Sequence, residues 1–198
     1  MNVVIIGQSG VGKSSLVNML CPGGNAYASN DATGCTAVER EYTCYLGKQQ
    51  SCQVHDTIGL EEERWGFLPD MRAQKRLKKY LKAIELNLLV YCMSGMRGSL
   101  KRSHGRNYKK FKSVVGNNVP VVVVVTGLEN FEGPLENWWL RNERELQNIG
   151  IPKTVGHACI TALPKAVLES EKRVLYDKSC EDVKTLIRNN LPSGKVQR

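Results

Sequence analysis

Short apolar runs alternate along the chain with stretches whose apolar residues recur at helical spacing. Asn2-Val3-Val4-Ile5-Ile6 has the length and composition of a strand, and Ser14-Ser15-Leu16-Val17-Asn18-Met19-Leu20 follows it with a helical pattern. Cys21-Pro22-Gly23-Gly24-Asn25 breaks that helix and opens a polar loop through Asp31-Ala32-Thr33-Gly34-Cys35-Thr36. Tyr42 to Leu46 and Ser51 to His55 read as two strands joined by a turn near Gly47. Arg72 to Ile84 reads as a basic amphipathic helix, with Leu77, Leu81 and Ile84 on one face. Leu88 to Met93 has the pattern of a buried strand, and Tyr108, Phe111, Val114 and Val115 mark the next helix. Val121 to Val125 is unbroken β-branched residue, as expected of a central parallel strand covered on both faces. Leu135 to Leu146 is helical, Ala158-Cys159-Ile160 a short strand, and Val183, Leu186, Ile187 and Leu191 mark a last helix. Trp138 and Trp139 are adjacent, so we expect one in the core and the other at a partner contact. The alternation predicts an α/β fold of three layers, with a mainly parallel central sheet of about six strands flanked by helices. In such sheets ligands sit beyond the carboxyl ends of the strands.

The residues beyond the first strand carry the clearest chemistry. Gly7-Gln8-Ser9-Gly10-Val11-Gly12-Lys13-Ser14 fills every fixed position of the G-x-x-x-x-G-K-[ST] phosphate loop, with Ser15 next in the helix. Glycines let the backbone curl so that N–H groups converge on phosphate oxygens, and the helix N-terminus adds its positive end. Lys13 would reach the β- and γ-phosphates, and the Ser14 hydroxyl would coordinate Mg²⁺. Asp56-Thr57-Ile58-Gly59 closes the third strand. Its aspartate suits Mg²⁺ held through water, and its glycine N–H suits the γ-phosphate. Thr126-Gly127-Leu128-Glu129 follows the polyvaline strand, and its carboxylate could accept both N–H donors on one edge of guanine. In Thr161-Ala162-Leu163 the Ala162 N–H could meet the base carbonyl, and the loop carrying Thr33 and Thr36 could sense Mg²⁺ and the γ-phosphate.

Taken in order, these residues resemble the P-loop GTPase superfamily over nearly the whole chain. Within it the chain looks most like the AIG1/Toc-related and fungal small G-domain proteins with a T-G-L-E base motif. The resemblance implies a small-GTPase fold, GTP or GDP with Mg²⁺ as ligands, and slow GTP hydrolysis coupled to a conformational switch. It implies that Lys13, Thr36 and Gly59 serve catalysis, and that Ser14, Thr36 and Asp56 hold the metal. Thr33 is the alternative to Thr36. Two features depart from the family pattern. Gly127 and Glu129 stand where [N/T]-K-x-D has lysine and aspartate. Leu60 stands where Ras-like members carry the glutamine that orients water, so Glu61, Glu62, a partner's residue or a backbone-held water would have to serve. Two rival readings follow: a nucleotide-bound interaction module with little turnover, and an ATP-hydrolysing or nucleic-acid-associated P-loop protein.

With 198 residues the chain fits one G domain, 1–192, and a short basic tail, 193–198. Strand begins at residue 2, leaving no room for a signal peptide, and the longest apolar run is too short to span a bilayer. The seven cysteines include no C-x-x-C pair, so we expect reduced thiols in a soluble cytoplasmic protein. His55, His104 and His157 read as structural histidines. The net charge of +9 is concentrated: Arg72, Lys75, Arg76, Lys78, Lys79 and Lys82 lie on one helix. Lys101, Arg102, Arg106, Lys109, Lys110 and Lys112 lie on or near the next. Such a face could serve RNA, anionic lipid or an acidic partner, or simply be a solvated surface. Other expected partners are an effector or regulator protein and, through Arg64, a second copy across the nucleotide faces.

Overall fold

The computed structural model describes residues 1–8, 10–23, 39–47, 50–57, 78–96 and 100–192. Ser9, Thr33, Thr36, Gly59, Leu60 and Arg64 lie outside the described residues. Six strands form one sheet: β1 (Asn2–Ile6), β2 (Glu39–Tyr45), β3 (Ser51–Thr57), β4 (Leu86–Ser94), β5 (Val121–Thr126) and β6 (His157–Cys159). Their order across the sheet is β2-β3-β1-β4-β5-β6. Every pairing is parallel except β2 with β3, where Cys44 stands opposite Cys52.

The alternation of side chains along β1 explains the layers. Val3 and Ile5 point to one face, where Leu16 and Val17 of α1 (Lys13–Leu20) and Val183 and Ile187 of α5 (Ser170–Asn190) cover them. Val4 and Ile6 point to the other face, covered by α2 (residues 78–83), α3 (Arg102–Val115) and α4 (Glu136–Ile149). All of β5 is buried, with Val122 and Val124 in one core and Val123 and Val125 in the other. A strand covered on both faces has no position for a polar residue, hence the valine run. No helix among the described residues is long and apolar enough to cross a membrane.

Two expectations change on contact with the structure. Trp138 and Trp139 are both buried, at 6% and 2% exposure. Helix α4 packs on both α3 and β6, so two adjacent side chains find two different covers. Trp138 donates its indole N–H to the Gly95 carbonyl at 2.8 Å, and Trp139 stacks on His157 at 3.8 Å. The hairpin strands are also longer than their apolar patterns, reaching back to Glu39 and on to Thr57. Asp56 therefore stands at the end of β3, one residue before its last, paired in register with Ile5 and Arg40.

His55 occupies a position with an aliphatic pattern because its ring is satisfied locally. Its Nε2 faces Asn2 Oδ1 at 3.2 Å and its Nδ1 faces the Tyr80 hydroxyl at 3.1 Å. A neutral ring donating to Asn2 and accepting from Tyr80 fills both bonds. Burial holds its pKa below the ordinary histidine value, against the opposing pull of Glu41.

Candidate nucleotide-binding site

The loop between β1 and α1 turns sharply at Gly12, whose φ of 91° lies in the left-handed region. A Cβ there would meet Thr126 at an ordinary contact distance of 3.4 Å, so it is the left-handed backbone that calls for glycine. Helix α1 starts at once with neither a side-chain cap nor an acid in its first turn. No side chain at the N-cap covers the spot where a helix best receives an anion. The Lys13 ammonium arches back over the loop and donates to the carbonyls of Gly7 at 2.6 Å and Gln8 at 3.0 Å. A fixed positive charge is held above a row of backbone donors.

Below the loop, the Thr126 hydroxyl donates to the Val11 carbonyl at 2.5 Å, with the Cys92 thiol 3.6 Å from the same oxygen. The phosphate loop is therefore pinned to the ends of β4 and β5. Thr126, singled out in the sequence as part of a base motif, acts on the loop's backbone instead of facing outward; it is 3% exposed.

Ser14 and Asp56 meet at the loop's flank, with the serine Oγ 3.5 Å from Asp56 Oδ2. Asp56 has no exposure, and its Oδ1 has no hydrogen-bond partner among the described residues. Burial raises the Asp56 pKa above the ordinary carboxylate value, and the pull of Lys13, Ser14 and Arg40 in the other direction does not cancel it. A buried carboxylate oxygen with nothing to bind is costly, and a hard cation beside a serine hydroxyl is the chemistry that would use it. These two residues therefore fit Mg²⁺.

On the far side of β5, Gly127 has a φ of 78°, and a Cβ there would stand 3.0 Å from the Met96 side chain. Lysine in this conformation would be strained, so Gly127 is the residue the turn allows. Glu129 Oε1 accepts the Ala162 N–H at 3.2 Å, which joins the T-G-L-E and T-A-L turns. The Thr161 N–H in turn donates to Ser179 Oγ on α5 at 3.2 Å. Ser179 carried no signal in the sequence, since one serine on a helix looks like any other. Two apolar side chains of these turns are in the open: Met96, beside Gly127, at 64% and Leu163, next to Ala162, at 44% exposure. Both belong to turns at the carboxyl end of the sheet, where the phosphate loop also lies.

The 50S ribosome-binding GTPase family model matches residues 2–127, which take in the loop, Asp56 and Thr126. The chain belongs to this GTPase family. The match ends two residues before Glu129. GTPase Der from Prochlorococcus marinus subsp. pastoris is 36% identical over 98 residues, 49% of this chain and 20% of Der. Among solved structures, an Era variant from Aquifex aeolicus bound to GDP·AlF4⁻ has a TM-score of 0.62 at 21% identity. The alignment covers 98% of this chain and 57% of the Era chain. A dimerization-deficient Toc33 variant from Arabidopsis thaliana has a TM-score of 0.66 at 16% identity, covering 96% of this chain and 84% of that one. The chain spans a fifth of Der and just over half of Era. At these identities the solved structures show the fold alone: a P-loop GTPase domain.

Proposed function

We propose that this chain is a Mg²⁺-dependent GTP-binding protein that hydrolyses GTP slowly and changes conformation with nucleotide state. The observation that carries the reading is the start of α1, without a side-chain cap, beneath the Lys13 ammonium, beside a buried carboxylate oxygen that lacks a partner among the described residues. Gly7 to Ser15 cradle the phosphates, and Lys13 spans the β- and γ-positions. Ser14, Asp56 and Thr36 would hold Mg²⁺, which would supply positive charge to the phosphates. Gly59 donates to the γ-phosphate. On binding, Glu129 exchanges the Ala162 N–H for the guanine edge and Ala162 donates to the base carbonyl instead, while Met96 and Leu163 offer apolar cover to the ring. Thr126, Gly127 and Thr161 act from behind by holding these turns. Residues 1–192 form the G domain.

Leu60 cannot hydrogen-bond water, so intrinsic hydrolysis is slow and acceleration comes from a regulator protein or a second copy. Arg64 is the residue to supply charge across such a dimer, where an arginine in trans is worth about 10³–10⁵ in turnover. Era has been solved with MgGDPNP and a segment of 16S ribosomal RNA, and that pairing of nucleotide with a second partner supports a switch over a simple hydrolase. The six cysteines among the described residues are free thiols, five of them buried, which supports a cytoplasmic setting.

Competition of labelled GTP by excess unlabelled GTP and ATP, with and without Mg²⁺, tests the binding half. GTP should compete and ATP should not; equal competition overturns the guanine reading. Turnover followed across a wide range of protein concentration tests the rate half. Fast hydrolysis independent of concentration, with no partner present, refutes it.

A further inference from the structure

From Arg72 to Lys112 the sequence holds 13 of its 28 basic residues and 1 of its 19 acids. Without that stretch the chain would be net acidic, so the whole positive excess comes from one place. Helices α2 and α3 lie on the same side of the sheet, with Leu81 and Phe111 in one core cluster. Lys78, Lys79 and Lys82 are exposed on α2. Arg102, Arg106 and Lys109 are exposed on α3 at spacings of four and three, which sets them in one stripe along that helix. Neither α3 nor residues 78–83 contains an acid. Between the helices runs a groove of about 530 Å³, with Lys78 and Lys82 on one wall, Ser113 and Val114 on the other, and Glu85 among its lining residues.

The nucleotide does not need this charge. The groove is lined by Leu86 and Val119, at the amino ends of β4 and β5, whereas the phosphate loop lies at the carboxyl end of β1. The basic face runs away from the nucleotide toward the opposite end of the sheet.

We propose that the α2–α3 face binds the phosphate backbone of a nucleic acid with little regard to sequence. A lipid surface would want apolar anchors beside the charge. The large apolar side chains exposed among the described residues, such as Tyr45, Leu140 and Val174, lie on other elements. The aromatic rings nearest the groove are turned inward. Tyr108 is buried, and Tyr80 is half-buried with its hydroxyl on His55. The face thus offers long cationic arms with no stacking platform for bases and no wedge for a membrane. Phosphate contact is the interaction left.

The inference stands apart from the nucleotide reading, and nucleotide binding serves as its control. Anisotropy of labelled RNA of about 20 nucleotides, single-stranded and duplex, is followed between about 50 and 200 mM salt. Four to six phosphate contacts give a log–log slope of about −3 to −5, so affinity falls roughly 60-fold or more over that range. In a triple variant, Lys78→Gln, Lys82→Gln and Arg106→Gln, the slope flattens by about 1 for each contact removed. Its melting temperature and nucleotide affinity stay at the wild-type values, because all three side chains are exposed and none belongs to the nucleotide site. The proposal is overturned by an absence of RNA binding at low salt, or by undiminished binding in the triple variant. It is also overturned if phosphatidylserine vesicles or polyglutamate capture the protein more strongly than RNA and with the same sensitivity to the variant.

Discussion

Asp56→Asn should make the nucleotide-free protein more stable while destroying its response to Mg²⁺ and GTP. The carboxylate is fully buried, its Oδ1 has no partner among the described residues, and Ser14 is 3.5 Å from the other oxygen. A buried polar atom left unpaired costs about 1–3 kcal/mol, and more when charged. Lys13 and Arg40 attract the charged form, but burial outweighs them, since the pKa is raised. Asparagine keeps the shape and loses the charge, though its amide still needs partners, so we expect a net gain of about 1 kcal/mol. For a domain of this size that is a rise of about 2–4 °C in Tm. In the wild type, Mg²⁺ and GTP at 100 times Kd should add about 2.7 kcal/mol, or roughly 5–10 °C. A variant whose affinity is 100-fold weaker would gain only about 0.4 kcal/mol, roughly 1 °C, from the same mixture. The two proteins should therefore exchange rank between melts without and with ligand, followed by dye fluorescence or calorimetry. An apo variant that melts below wild type, or one that keeps the full ligand shift, would refute the reasoning, because Asp56 would then be an ordinary satisfied carboxylate.

Lys13→Ala should weaken triphosphate binding at least tenfold by calorimetry, since a charge-assisted contact is worth roughly 1.5–3 kcal/mol; equal affinities would end the phosphate-loop reading. Glu129→Ala should lower the preference for GTP over ATP by about 100-fold or more in competition assays, whereas Glu129→Asp should keep part of it. Met96→Ala should weaken GTP and ATP by the same factor, about 2–10-fold, because a thioether face does not tell one purine from another. His55 is held neutral below its ordinary pKa, so it binds fewer protons folded than unfolded and stability is lost as pH falls below about 6.5. Urea unfolding at pH 7 and pH 5.5 should show a loss of about 1 kcal/mol that His55→Gln lacks; matching losses in both proteins would remove His55 as the cause.

What could be read in the sequence is what the chain writes locally. The phosphate loop is eight consecutive residues between a strand and a helix, and its chemistry needs little from elsewhere. The central strand was legible for a similar reason, because five valines in a row have only one environment that suits them all. Contacts that join distant segments left no such trace. Thr126 pins a carbonyl 115 residues away, and Ser179 holds a backbone N–H 18 residues before it. Neither residue type at either spacing carries a pattern. The tryptophan pair misled for the same reason: helical spacing predicts one buried face, but α4 is covered from two directions by elements that the local sequence does not mention. Gly127 shows the limit most clearly. The sequence shows that a lysine is missing, which reads as a weakened base motif. The structure adds that the backbone there is left-handed, where lysine would be strained, and that Met96 from the loop after β4 abuts the space its side chain would enter. A departure from a motif becomes interpretable only when the residue that fills the gap is known, and that residue need not lie in the motif at all.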